Sequence, residues 1–397
     1  MINVMFMQSQ SFYGADSELH AQLLRYMDRS QVSLSVALTQ ALRETPEISA
    51  KLYFEKIPGI VVRPTEFGRS REDMRGAGDY AANLVRTFGG LLGLAGFIRA
   101  HRIQVIHGTE KPRDAFYGTL LAKLTGARSV VHMHVSYGDW LASNVKWALR
   151  NADAIIAVSP FSAKSIVDAG FAAGKVHTVL NSLDLASQRW NSRSTAREVR
   201  ASLGIPEGAV VMGVVSRLFL YKGHRDLLDA LARVKDQMPD YRLVIVGEDD
   251  PRAHPGGGSF TEELKTQAAE LGISQNIIFT GFRTDIPQLM ESFDMYTMPS
   301  WEEPFGMVYI EAMALNKPVV AWRQAGPEEI VVDGETGFLP APKDIEALGT
   351  CILQLAQSAE LRAQFGRAGR QRVEDYFSSK RMCADVVSIY QSIVGRP

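Results

Sequence analysis

Little in this 397-residue chain points to a cross-linked, membrane-spanning or polyanion-binding protein. Cysteine is nearly absent. Only Cys351 and Cys383 occur, which gives no disulfide framework and suits a reducing, cytoplasmic compartment. No run of eighteen apolar residues exists, so no segment is expected to span a bilayer. Met1–Met7 reads as a buried strand and lacks the basic flank of a signal peptide. The formal net charge is only -1, which gives no global reason to expect nucleic acid. That total hides a split. Residues 1–185 hold 20 Lys+Arg against 16 Asp+Glu and the remainder 23 against 28, so the first half is the mildly basic one. A glycine fingerprint is missing too. The first strand leads into Gln8-Ser9-Gln10-Ser11-Phe12-Tyr13-Gly14, and no G-x-G-x-x-G offers a seat for a hydride-transfer cofactor.

What is present is a soluble-protein composition, 46% hydrophobic and 22% charged, over a length that suggests two domains. Short apolar runs at 2–7, 32–38, 51–54, 104–107, 128–132, 154–158 and 176–180 read as strands. Helical stretches at 18–28, 80–100, 115–124, 145–149 and 160–169 lie between them. Most of the runs lack the alternation of a half-exposed sheet, so an α/β fold with a parallel sheet covered on both faces is expected. The pattern lapses at 185–193 and then restarts, placing a domain boundary there. Ligands on such sheets gather at the carboxyl ends of the strands.

The centre of the second half is 294–326, DMYTMPSWEEPFGMVYIEAMALNKPVVAWRQAG. A short strand feeds a polar loop, then a helix expected over 304–315 with Pro304 in its first turn. Unpaired amides at that helix start, with Phe305, Gly306, Met307 and Val308, suit an anion such as phosphate. Glu303 and Glu311 bracket it as hydroxyl acceptors. The pair alone reads equally well as a capped surface helix. Earlier in the same half, Arg217 and Lys222 share the strand-to-helix loop Ser216-Arg217-Leu218-Phe219-Leu220-Tyr221-Lys222-Gly223, where two cations suit a diphosphate, or merely a solvated loop.

The string E-P-F-G-M-V-x-I-E at 303–311 resembles the donor-site signature of retaining glycosyltransferases of the GT-B fold, family 4, and S-R-L-x-x-x-K-G resembles their phosphate-binding loop. The resemblance covers nearly the whole chain. It implies two Rossmann-like domains facing across a cleft: 1–185 for the acceptor, 186–379 for the nucleotide-sugar, and a last helix, 380–397, crossing back to the first domain. It further implies a metal-independent hexosyltransferase with no cofactor. The donor would be a nucleoside diphosphate sugar, UDP- or GDP-linked, and the acceptor a hydroxyl of a glycan, lipid or small molecule. Glu303 would hold the sugar, Glu311 the ribose, and Arg217 with Lys222 the diphosphate. His134 would reach the donor sugar, Gly14 would let the backbone approach the phosphate, and Phe282 and Arg283 would border the base. A sugar phosphorylase, an epimerase or a non-catalytic nucleotide-sugar-binding protein would use the same cleft.

Other stretches carry bland readings beside functional ones. His132 and His134, two residues apart at a strand end, are expected on opposite faces, with His132 structural. Asp139 and Trp140 are candidates for the acceptor side. Glu248-Asp249-Asp250 reads as a solvent-facing acidic loop. Arg63, Arg69, Arg71 and Arg75 fall in a loop-like segment that reads as solvated. Leu84–Ile98 is an apolar helix with four glycines, for which burial against the sheet is favoured over peripheral membrane contact.

Overall fold

The computed structural model describes all residues except 13, 41–48, 69–73, 75, 188–194, 252–256 and 396–397. Arg69, Arg71, Arg75 and the centre of the expected interdomain stretch thus lie outside the described residues. The chain divides into two compact units. The first is Met1–Ser182 with Ser379–Pro397, and the second is Leu183–Ser378.

In the first unit, β1 (Ile2–Gln8), β2 (Val32–Thr39), β3 (Val61–Thr65), β4 (Val105–Thr109), β5 (Arg128–Met133), β6 (Ala154–Ala157) and β7 (Val176–Thr178) form a parallel sheet ordered β3-β2-β1-β4-β5-β6-β7. Register is set by in-step pairs such as Phe6 with Val36 and Phe6 with His107. Burial on both faces explains the unbroken apolar runs, since Val4 to Met7 and Ala154 to Val158 are all fully buried.

Local chemistry sets the helix ends. Ser159 accepts from the Ser162 N–H ahead of Pro160, and Gly126, in the left-handed region, ends Pro112–Thr125. The helix Ser379–Val394 belongs to this first unit. Its Ser379 and Tyr390 bond to Gln22 and His107, and Arg381 donates to the Leu180 carbonyl.

The second unit repeats the plan. Strands β8 (Val210–Val215), β9 (Tyr241–Val246), β10 (Ile277–Gly281), β11 (Met295–Thr297), β12 (Val319–Val320) and β13 (Gly337–Phe338) form a parallel sheet ordered β10-β9-β8-β11-β12-β13. In both sheets the order of strand addition reverses beside the first strand, between β1 and β4 and between β8 and β11. Crevices for ligands open at such switch points.

Several expectations need correction. Residues 51–54 are helical, within Ala50–Phe54, and the edge strand is instead Val61–Thr65, which includes Arg63 and Pro64. Proline is tolerated there because an edge strand need not donate on both sides. The helix expected over 304–315 starts later, at Met307, and ends at Ala314, so Pro304 lies in the loop before it. The apolar helix Ala77–Ala100 is buried only in part. Thr87, Leu94, Ala95 and Ile98 face the core, whereas Leu84, Val85, Phe88 and Leu92 are exposed. Among the described residues it is the one helix long and apolar enough, by length and composition, to cross a membrane.

Candidate functional site

Arg217, Lys222, Glu303, Phe305 and Gly306 come from loops that follow adjacent strands at the switch point of the second unit. After β8, Ser216 to Gly223 turns into the helix His224–Val234, and after β11, Met298 to Gly306 turns into Met307–Ala314. Backbone bonds tie the two loops together. The Trp301 N–H and the Ser300 hydroxyl both donate to the Tyr221 carbonyl, at 2.8 and 3.0 Å, and the Trp301 indole donates to Asp226 at 2.8 Å. Gly223, at φ +75, lies so close to the second loop that a Cβ would stand 1.9 Å from the Pro299 carbonyl oxygen.

This approach brings Lys222 and Glu303 together. Lys222 Nζ lies 2.5 Å from Glu303 Oε2, and their side chains are only 16% and 13% exposed. Gly306, at φ +98, caps the helix Met307–Ala314, and the Tyr309 ring and the Glu303 side chain crowd the space a side chain would need. Phe305 is buried, and the Glu303 carbonyl accepts from the Gly326 N–H at 2.8 Å. Tyr309 donates to the Met298 carbonyl at 2.8 Å, and its phenol is held well above its usual range by burial and then by the Glu303 charge. Glu311 is buried one turn into the helix. Burial depresses His224 to about 4, and the Lys222 charge adds to this. His224 is therefore a neutral neighbour, bonded to the Ser216 hydroxyl at 3.1 Å.

Arg217 is placed by Asp250, a carboxylate of the run expected to face solvent. Its Nη1 lies 2.7 Å from Asp250 Oδ2, and Asp250 is buried at 2% while the guanidinium side chain is 64% exposed. Asp249 accepts from the Thr261 N–H and hydroxyl, so of the three acids only Glu248 is exposed. The acidic run therefore anchors the basic loop, because a buried carboxylate needs donors. Gly247 donates its N–H to the Gly281 carbonyl, which sets the end of β10 beside this loop. There Phe282 is 68% exposed, and Arg283 is held by two hydrogen bonds to Asp285, a carboxylate kept below its usual range by them.

In the first unit, Gly14 caps the helix Ala15–Tyr26 with extended backbone, and a Cβ there would meet only the Phe12 ring. His132 and His134 do not take the expected opposite faces: β5 ends at Met133, and the two-residue period of a strand puts residues two apart on one face. The two rings stack at 4.3 Å, and His134 lies on the His132 side of the sheet. The His134 N–H donates to Glu110 at 3.2 Å, whereas both its ring nitrogens lack a hydrogen-bond partner among the described residues. His107 Nδ1 pairs with the Tyr390 hydroxyl at 2.6 Å and its Nε2 with His132 Nδ1 at 3.3 Å. Burial, then neighbouring imidazoles, holds His107 and His132 well below the usual histidine range. His20, His107 and His132 offer ring nitrogens within 4.8 Å of one another, close enough to hold a metal ion. Asp139 and Trp140 are exposed.

Sequence reasoning missed the supporting residues Tyr221, Gly223, Trp301, Tyr309 and Gly326. The glycines were visible as residues, but their need for bare backbone arises from loops far apart in the chain.

Two Rossmann-like units of matching strand order, with a basic strand-to-helix loop beside an acid-flanked one, define a GT-B fold. A family model described as Glycosyltransferase Family 4 matches residues 22–187, and one described as Glycosyl transferases group 1 matches residues 195–372. The chain belongs to glycosyltransferase family 4. It is 30% identical over 267 residues to the GDP-mannose-dependent alpha-(1-6)-phosphatidylinositol monomannoside mannosyltransferase of Mycolicibacterium smegmatis, covering 63% of this chain and 66% of that one. It is 29% identical over 291 residues to the sulfoquinovosyl transferase SQD2 of Arabidopsis thaliana, covering 68% and 53%. The match thus spans between about half and two thirds of these curated relatives' lengths. The crystal structure of Anabaena Alr3699/HepE in complex with UDP-glucose is 25% identical, covers 99% of this chain and 100% of that chain, and has a TM-score of 0.74.

Proposed function

We propose that this chain is a retaining hexosyltransferase that moves a sugar from a nucleoside diphosphate donor to an acceptor hydroxyl, with no metal at the diphosphate. The observation that carries this reading is the Lys222–Glu303 pair beside the Met307–Ala314 helix start, with Arg217 held by Asp250 on the Lys222 loop. In this reading the diphosphate draws Lys222 and the exposed Arg217 fork, while Glu303 turns to a sugar hydroxyl. Glu311 takes the ribose, Phe282 and Arg283 border the base, and Phe305 to Val308 bring backbone amides toward the phosphate. Gly14 and His134 serve the donor from the first unit, which binds the acceptor. The acceptor oxygen forms its bond to the anomeric carbon on the face from which the phosphate oxygen departs, and that phosphate oxygen takes the acceptor proton. The fixed cations stabilise the charge on the leaving diphosphate, so a metal is not required there. A UDP- or GDP-linked donor is favoured by the UDP-glucose held in Alr3699/HepE and by the GDP-mannose dependence of the mycobacterial relative. The two free thiols, both pushed up by burial, suit a reducing, cytoplasmic setting.

The test begins with thermal shifts against UDP-, GDP-, ADP- and TDP-sugars, because donor at a hundred times its Kd raises stability by about 2.7 kcal/mol. Anomeric configuration is then read by proton NMR during hydrolysis or transfer in EDTA. One donor should stabilise the chain and give product of retained configuration. Inverted product, or dependence on added Mg²⁺ or Mn²⁺, overturns the mechanism. Consumption of the sugar by free phosphate rather than by an alcohol would identify a phosphorylase instead.

A further inference from the structure

The helix Ala77–Ala100 presents an apolar face that no described residue of its own unit covers. Tyr80, Leu84, Val85, Phe88 and Leu92 are 47, 71, 71, 62 and 57% exposed. Val85, Phe88 and Leu92 recur at steps of three and four, the spacing that keeps side chains on one side of a helix. Their neighbours Gly89 and Gly96 face open space. A contiguous patch of this kind on a folded unit marks a contact surface. The opposite side is committed to the core, where Leu94, Ala95 and Ile98 pack with Met5, Ile106 and Leu121.

The charges around that face are mostly of one sign. Arg86 and Arg99 are exposed on the helix, and Arg102 is exposed just beyond it. Arg63, exposed on β3, brings its guanidinium within 3.4 Å of where a Gly93 Cβ would stand. Arg99 donates to the carbonyl of exposed Leu124, which adjoins exposed Lys123. Among the described residues of 61–102, Glu66 and Asp79 are the exposed acids.

We propose that this face rests on an anionic lipid surface, with Leu84, Val85, Phe88 and Leu92 at the acyl boundary and Arg63, Arg86 and Arg99 on headgroup phosphates. The helix lies in the interface and does not span. Its turns from Leu94 onward are held by the protein core, and the stretch from Ala77 to Leu92 reaches only about 24 Å at about 1.5 Å per residue, against roughly 30 Å of hydrocarbon. Headgroup phosphates complement this rim of cations, whereas a second copy of the chain would set the same cations against themselves.

The experiment is co-sedimentation of the full chain with vesicles of phosphatidylcholine, alone or mixed with phosphatidylglycerol. The chain should pellet with the anionic vesicles and be released by salt. Arg63→Gln with Arg86→Gln should weaken binding by about 25-fold, since each cation near such a surface is worth roughly fivefold. Leu84→Ser with Phe88→Ser should weaken it at least about tenfold. These exposed positions leave the fold intact, so the thermal midpoint and donor-induced stabilisation should be unchanged in both variants, which separates this inference from the donor reading. No pelleting with either vesicle, binding indifferent to both double variants, or a solution dimer that Leu84→Ser with Phe88→Ser dissociates overturns the proposal.

Discussion

Lys222 Nζ meets Glu303 Oε2 at 2.5 Å, joining two loops whose residues stand 81 apart in the chain. The contact depends on Gly223 lying against Pro299 and on the Tyr221 carbonyl receiving both Ser300 and Trp301. A cation and a carboxylate held this way are each within reach of a ligand that competes for the other.

Lys222→Ala should lower turnover with the preferred donor by at least roughly a hundredfold, the scale of losing one transition-state stabiliser. Steady-state transfer kinetics decide this, and near-normal turnover would remove Lys222 from the mechanism.

Arg217→Lys should raise the donor KM by about tenfold or more. A lysine cannot bond Asp250 and still present a planar fork to phosphate oxygens. Unchanged KM would mean that the exposed part of Arg217 faces only solvent.

Gly223→Ala should destabilise the protein by about 1–3 kcal/mol and weaken donor binding, because the left-handed backbone and the Pro299 carbonyl both oppose a Cβ. Gly170→Ala is the control. It has φ +91 but open space around it, and it belongs to the first unit, so it should cost stability alone. Equal loss of donor affinity in calorimetric titrations of the two variants would contradict the loop packing.

Stability should fall on mild acidification. His107, His132 and His224 resist protonation when folded, while their unfolded counterparts take up protons below about 6.5, so the folded state loses ground as pH drops from 6.5 toward about 4, the value for His224. Asp114 acts in the opposite sense. Burial raises it to about 6, so the folded chain takes its proton before the unfolded chain does at 3.8, and this adds stability in the same window. Three imidazoles outweigh one carboxyl, and the thermal midpoint should be lower near pH 5 than near about pH 7.5. A flat profile, or the same slope in His224→Gln, would show that these sites do not govern it.

Residue order alone was enough for the β/α alternation and for the two short strings around Arg217–Lys222 and Glu303–Glu311. Each of these is a local matter of apolar period, turn residues and helix starts, settled within a dozen residues. The three-dimensional arrangement alone decided which groups meet and which faces are left bare. It made Asp250 a buried partner of Arg217, and it left Leu84, Val85, Phe88 and Leu92 uncovered on a helix whose composition suggests burial. Burial and pairing depend on which strands become neighbours, and that information is distributed over the whole chain rather than written beside any one residue.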